Sequence, residues 1–160
     1  MRDRSENLSG RLKVLPMPSP DMELYNDILE RGFQRFPERR RNYERALNAE
    51  RKSVVDYLPI KLDVENVSRC NFRCNMCQVS KWPKMQRARD MSIEEFDALL
   101  DEQIGVVEIK LQGMGEPLVN NNFFNMMEYA SKYSIVSEIT TNGSLLNEKN
   151  INKLLKANIS

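Results

Sequence analysis

The chain has 160 residues, 24 basic and 23 acidic, with 41% apolar and 29% charged residues, which suits one folded domain with one core and excludes an unstructured polar chain. The charge balance argues neither for nor against a nucleic-acid partner. There is no run of about 18 apolar residues to cross a membrane, and Met1-Arg2-Asp3-Arg4-Ser5-Glu6 lacks the apolar stretch of a signal peptide.

Residues 1–18 mix charges with Gly10, Pro16 and Pro18 without a period and read as a flexible arm. Ser19-Pro20-Asp21 reads as a helix start, with a cap residue, proline at the first helical position and acids at Asp21 and Glu23. Met22, Tyr25, Ile28 and Leu29 share one face, Phe33 and Phe36 extend it less regularly, and Pro37 ends the helix. A second helical stretch is expected over 38–52. Residues 31–52 carry eight basic against three acidic side chains, and a solvated helix face is the favoured reading over a contact with phosphate or an acidic partner. Together 19–58 form a helical N-terminal segment in this reading.

From Pro59 the period changes to two. Ile60, Leu62 and Val64 alternate with Lys61, Asp63 and Glu65, which predicts a strand with one apolar and one polar face. The loop Cys70-Asn71-Phe72-Arg73-Cys74-Asn75-Met76-Cys77 follows, and it holds every cysteine of a chain that has no histidine. Three closely spaced cysteines make a poor disulfide framework and fit a reducing compartment, so the expected location is cytoplasmic. Three thiolates can close around one metal centre, but they are one ligand short of a structural zinc site. A [4Fe–4S] cluster held by three cysteines keeps one iron open to a ligand that is not protein. On the cysteines alone, a zinc knuckle completed by a carboxylate or a partner, or chance clustering of reduced thiols, competes with that reading.

The next helix is expected over 92–103, with Ser92 as cap, Glu95 three residues on, and Met91 placed to staple onto Phe96. Its buried stripe is Ile93, Phe96, Leu99 and Leu100. A second strand over 106–111 puts Val107, Ile109 and Leu111 on one face, and Glu108 and Lys110 on the other with Val106. It ends in Gln112-Gly113-Met114-Gly115-Glu116-Pro117, and a helix starts near Asn121 with Phe123, Phe124 and Met127 inward. A third strand over 135–141 sets Glu138 and Thr140 opposite Ile139 and Thr141 and ends in Asn142-Gly143. A last helix starts near Asn147, with Ile151, Leu154 and Leu155 as its apolar face.

Strands alternating with helices predict an α/β fold with a parallel sheet and right-handed crossovers. Strands buried on both faces are nearly continuous in apolar residues. These are not, so one face of the sheet meets a wet lumen or a large ligand. Glu65, Asp63, Lys110 and Glu138 either point into that lumen or sit on an open sheet face. All three unusual loops follow the carboxyl end of a strand, where parallel α/β folds bind their ligands.

The Cys-x3-Cys-x2-Cys spacing, with the strand and Ser68-Arg69 leading into it, resembles the signature of the radical S-adenosylmethionine (SAM) superfamily. Within it the chain looks like the subgroup of molybdenum-cofactor biosynthesis protein A and the SPASM-type peptide-modifying enzymes. The residue before the third cysteine, often aromatic in the family, is Met76 here. Gly113-Met114-Gly115-Glu116 resembles the family's Gly-Gly-Glu motif with Met114 inserted, and Thr140-Thr141-Asn142-Gly143 resembles its Thr-Asn-Gly turn.

The resemblance implies the first half, three β/α units over 59–160, of a partial (β/α)6 barrel preceded by the helical segment. It implies an enzyme in which Cys70, Cys74 and Cys77 bind a [4Fe–4S] cluster. Gly113, Met114, Gly115 and Glu116 would meet the methionine part of SAM, the backbone around Met76 its adenine, and Thr141 and Asn142 would lie at the same site. No catalytic residue is assigned. The implied reaction is reductive cleavage of SAM to a 5′-deoxyadenosyl radical that takes hydrogen from a substrate, with a flavodoxin- or ferredoxin-like external reductant. A peptide or protein is the first choice of substrate. The alternatives are a radical SAM RNA methyltransferase, whose additional cysteines residues 1–160 lack, or a non-catalytic metal-binding or electron-transfer module. The family's barrel continues beyond three units, so the chain reads as the N-terminal half of a longer enzyme.

Overall fold

The computed structural model describes residues 21–50, 52–157 and 159. The expected arm over 1–18, and Ser19 and Pro20 of the expected helix start, lie outside them. Helix α1, Met22–Arg35, is capped by Asp21, whose Oδ1 accepts from Leu24 N at 2.9 Å. The cap is therefore Asp21, where the sequence pattern pointed to Ser19. Pro37 does end α1, and it also opens α2, Pro37–Asn48, as its first residue.

The core is a three-stranded parallel sheet in the order β1 (Lys61–Val64), β2 (Glu108–Leu111), β3 (Val136–Ile139). Lys61 pairs with Glu108 and Val64 with Leu111, and on the other side Glu108 pairs with Val136 and Leu111 with Ile139. The short helix α3, Gln78–Lys81, and a 3₁₀ turn, Lys84–Gln86, follow the cysteine loop. Helix α4, Ile93–Glu102, then connects β1 to β2, and α5, Phe123–Lys132, connects β2 to β3. The expected capping box of α4 is present: Ser92 Oγ accepts from Glu95 N, and the Glu95 carboxylate accepts from Ser92 N at 2.9 Å. Its partner Arg89 and that N–H hold the Glu95 carboxyl at about 2.

Phe96 and Leu100 of α4 and Phe123, Met126, Met127 and Ala130 of α5 close over Ile109 and Leu111 of β2, and all are buried. Val106 belongs to this core, contrary to the alternation that put it on the polar face. The reason lies in the backbone. Val107 N and Glu108 N both bond to the one carbonyl of Ile60, so the strict alternation begins only at Glu108.

The opposite sheet face carries charge. Lys61 bridges Glu108 and, at 3.6 Å, Glu138, while Lys110 holds Glu138 at 2.5 Å. The Lys110 contact is the main reason that the Glu138 carboxyl titrates below its usual range.

α1 and α2 pack under the amino ends of the strands. Arg39 is buried, and its guanidinium donates to the carbonyls of Ile104 at 3.3 Å and Tyr133 at 2.7 Å, just before β2 and β3. Burial, with Arg35 nearby, lowers its pKa to about 10. Asn42 exchanges two bonds with Leu58 ahead of β1, at 3.0 and 2.7 Å. Arg45 bonds to Asp56 O, Arg40 to Glu30 and Arg41 to Glu38, so the basic stretch is divided among internal partners. The helical segment thus closes the end of the sheet away from the cysteines.

The last helix, α6, runs Glu148–Leu154 with Asn147 accepting from Asn150 N at 2.9 Å. Its expected apolar face is only partly used. Leu154 packs on the core, but Ile151 is 41% and Leu155 78% exposed, because no described element lies over them. Ile159 makes one parallel bridge to Ser137 on the outer edge of β3.

Candidate functional site

The site is built from the three loops that leave the carboxyl ends of β1, β2 and β3. The first begins deep in the protein: Asn66, Val67 and Ser68 are buried. Asn120 Nδ2 bridges the carbonyls of Asn66 at 2.8 Å and Met91 at 3.0 Å, and Ser68 Oγ donates to Ala88 O at 2.9 Å. Arg69, next to the first cysteine, is held by both oxygens of Asp90 at 3.0 and 2.5 Å, and donates to Val119 O at 2.9 Å. A paired, planar clamp of this kind fixes orientation as well as distance. The bonds to Asp90 raise the guanidinium pKa.

The second loop lies directly against the first. A Cβ on Gly115 would press into the carbonyl of Val67 and come within 2.6 Å of that of Arg69, so only glycine lets the backbones approach this closely. Glu116 N then donates to Arg69 O at 3.0 Å. Met114 N donates to Glu65 Oε1 at 2.8 Å, and Gly113 faces the same side chain. Glu116 itself is 2% exposed. Its Oε1 accepts from Thr141 Oγ1 at 2.6 Å and Leu118 N at 3.3 Å, and its Oε2 from Asn142 N at 2.7 Å. This carboxylate is a brace between the second and third loops.

The third loop returns to the cysteines. Asn142 Nδ2 donates to Asn71 Oδ1 at 3.0 Å and approaches Cys70 Sγ at 3.7 Å. Asn71 Nδ2 donates to Ser144 Oγ at 2.8 Å, and Ser144 Oγ donates to Asn142 Oδ1 at 2.6 Å. Gly143 makes the turn possible with φ of +76°, a conformation that side chains disfavour. One residue before this turn, Thr140 Oγ1 donates to Gln112 Oε1 at 2.9 Å.

Cys70, Gly113, Met114, Gly115, Glu116, Thr141 and Asn142 are therefore brought into one contiguous hydrogen-bonded and packed set. Cys74 and Met76 sit further out, and Met76 is 95% exposed. All three thiols are free and accessible in part or fully. Among the described residues no three Cys, Asp or Glu side chains are gathered closely enough to hold a metal ion. The donor set nonetheless fits an iron–sulfur centre better than zinc: three soft thiolates on one irregular, accessible loop, with no histidine in the chain to complete a four-ligand zinc site.

Sequence reasoning missed Arg69, Asp90, Asn71, Ser144, Asn120 and the brace made by Glu116. Their partners lie 21 to 73 residues away, so no local period could expose them. The polar run Asn120-Asn121-Asn122 was the one visible signal, since a buried amide must find partners.

The thiol-bearing loop, the glycine-rich turn and the Asn-Gly turn lie on one rim of a parallel α/β sheet, the end at which such folds bind their ligands. Residues 66–160 match the family model of the radical SAM superfamily, and the chain belongs to that superfamily. It is 37% identical over 112 residues to a GTP 3′,8-cyclase of Desulforamulus reducens, covering 67% of this chain and 30% of that one. It is 33% identical over 101 residues to the tungsten-containing aldehyde ferredoxin oxidoreductase cofactor-modifying protein of Pyrococcus furiosus, covering 61% and 28%. The chain thus spans less than a third of the length of these curated relatives.

Among solved structures, BtrN in complex with AdoMet and 2-DOIA superposes with a TM-score of 0.54 at 26% identity, covering 64% of this chain and 43% of that one. SuiB of Streptococcus suis bound to S-adenosylmethionine gives 0.56 at 17% identity, covering 98% and 34%. The SuiB likeness carries the fold alone. Superfamily membership implies a [4Fe–4S] cluster and SAM, and the helices described contain none long and apolar enough to cross a membrane.

Proposed function

We propose that this chain is the cluster- and SAM-binding part of a radical SAM enzyme, with residues 59–160 as the first half of its barrel. The observation that carries the reading is the joining of the three strand-end loops around Cys70 through Glu116 and Asn142. Cys70, Cys74 and Cys77 would hold the cluster. When bound, the cluster and SAM supply one-electron cleavage of a carbon–sulfur bond and removal of hydrogen from the substrate.

The protein's own residues bind and orient. The clamp of Arg69 on Asp90 and Val119 sets where Cys70 emerges from β1. Backbone carbonyls of Gly113, Met114 and Gly115 are the acceptors offered to an ammonium group, because the carboxylate of Glu116 already serves the neighbouring turn. Its role in this proposal is to position Thr141 and Asn142, and the backbone around Met76 meets the adenine. Buried Val67 and Asn66 behind the loop exclude water from that side.

For the substrate the proposal is a peptide or protein, on the style of the cysteine loop; SuiB, solved with its precursor peptide SuiA, shares the fold. A second reading, a nucleotide, is supported by the relatives named GTP 3′,8-cyclase at 34–37% identity. An external reductant of flavodoxin or ferredoxin type and a cytoplasmic location complete the proposal.

The test is electron paramagnetic resonance on anaerobically reconstituted, dithionite-reduced protein, with iron and sulfide content measured alongside. A reduced cluster signal that changes on adding SAM is expected, and Cys70→Ser, Cys74→Ser and Cys77→Ser should each lose it. Stoichiometric zinc with no competence for iron–sulfur assembly would overturn the reading. Turnover of the full-length enzyme on peptide against GTP separates the two substrates.

A further inference from the structure

The charges of this chain nearly cancel, yet they are not evenly spread. Residues 66–89 hold six basic side chains, Arg69, Arg73, Lys81, Lys84, Arg87 and Arg89, and no acid at all. Outside that run the chain has 18 basic against 23 acidic residues, and in the other basic stretch, 31–52, the described arginines and Lys52 are bonded to groups of the protein itself.

Three of the six basic groups have internal work. Arg69 is held by Asp90, Arg89 by Glu95, and Arg87 donates to the carbonyls of Val79 and Trp82 at 2.8 and 2.9 Å. Arg73, Lys81 and Lys84 are exposed and take part in no ion pair among the described residues. A string of tight turns links them along the chain to the thiols. Cys77 N bonds to Cys74 O at 3.1 Å, Ser80 N to Cys77 O at 3.2 Å, Trp82 N to Val79 O at 3.3 Å, and Gln86 N to Pro83 O at 3.0 Å. Met76 and Met85 flank them and are the two most exposed large apolar side chains described, at 95% and 99%.

From this arrangement we infer that Arg73, Lys81 and Lys84, with Met76 and Met85, form the docking surface for an acidic one-electron carrier protein. The inference rests on the proposed iron–sulfur site, which needs an electron from outside. The donor is oxidised by one electron and the cluster reduced by one; no bond breaks and no proton moves. Free cations steer an acidic partner to the site, and complementary charge acts chiefly on the association rate. Flexible methionine tips suit a partner that docks briefly and leaves, and redox encounters use small interfaces. A nucleic acid fits less well, because the patch offers no pair of free aromatic faces for stacking: Phe72 is exposed but Trp82 is half-buried.

The experiment compares the full chain with the variant Lys81→Glu/Lys84→Glu, using reduced bacterial flavodoxin as the probe. Two quantities are read under anaerobic conditions: flavodoxin binding by biolayer interferometry, and the rate of cluster bleaching in stopped flow. Binding should weaken with added salt and fall by about tenfold in the variant, and the bleaching rate should fall in step. Reduction by the small cation methyl viologen should not be slowed. Lys81→Gln/Lys84→Gln, which removes charge without adding acid, should give a smaller loss of the same kind.

Unchanged flavodoxin binding in both variants would overturn the inference. So would loss of binding to a single-stranded RNA with flavodoxin binding intact, which would make the patch a nucleic-acid surface. Failure to assemble a cluster would count against the proposed function, while the binding arm would still decide the surface.

Discussion

Glu116→Gln tests the claim that the acid of the glycine-rich motif is a brace. The carboxylate receives Thr141 Oγ1 and Leu118 N on one oxygen and Asn142 N on the other. Glutamine has almost the same shape but one carbonyl oxygen. If that oxygen stays with Thr141 and Leu118, the new NH₂ faces the N–H of Asn142, donor against donor. If the amide flips, the bond to Asn142 survives and the Leu118 N–H is the group left facing a donor. Either way at least one bond to a charged acceptor is lost, at about 1.5–3 kcal/mol, and a part-buried N–H is left facing a donor. That loss, about 1.5–3 kcal/mol, is a large share of a domain stability of about 5–15 kcal/mol. In a chain of this size it should lower Tm by about 3–12 °C. Calorimetry reads the loss, and hydrogen exchange should show the Asn142 amide deprotected more than amides of the β2 core. A Tm within about 2 °C of the parent, with Asn142 still protected, would refute the reasoning.

Gly115→Ala should cost about 1–3 kcal/mol or more in denaturant unfolding, because the new methyl meets backbone carbonyls of Val67 and Arg69 that cannot swing aside. The Glu95 carboxyl, lowered first by Arg89 and then by Ser92 N, should give α4 support that is complete above about 4.5 and lost as pH falls toward about 2; Arg89→Gln should move the Glu95 titration upward by NMR. Lys110→Met should return the Glu138 titration toward the ordinary carboxylate range while Lys61, at 3.6 Å, preserves part of the shift. The outer edge of β3 pairs with Ile159 alone among the described residues, so the 160-residue chain should self-associate in sedimentation; a monomeric, cooperative melt would contradict this.

Much of the fold was legible because its signals are local. Ser92 and Glu95 lie three residues apart, so a capping box can be read from the chain, and α4 starts where they place it. Strand alternation survives in β2 from Glu108 onward, and it fails at Val106 where one carbonyl takes two successive N–H groups. α6 misled in the opposite way. Its apolar spacing is regular, but Ile151 and Leu155 have no described neighbour to bury them.

The sequence by itself determined which groups are present and in what order: three thiols in one loop, glycines after the second strand, an Asn-Gly turn after the third. These are statements about neighbours along the chain, and composition and spacing suffice for them. Only the tertiary structure decided what each group faces. It set the Glu116 carboxylate against Thr141 and Asn142, and paired Arg69 with Asp90. It also joined Asn71 to Ser144 across 73 residues. Parallel strands bring the carboxyl ends of distant segments to one rim, so the contacts that shape the site join residues no local pattern connects.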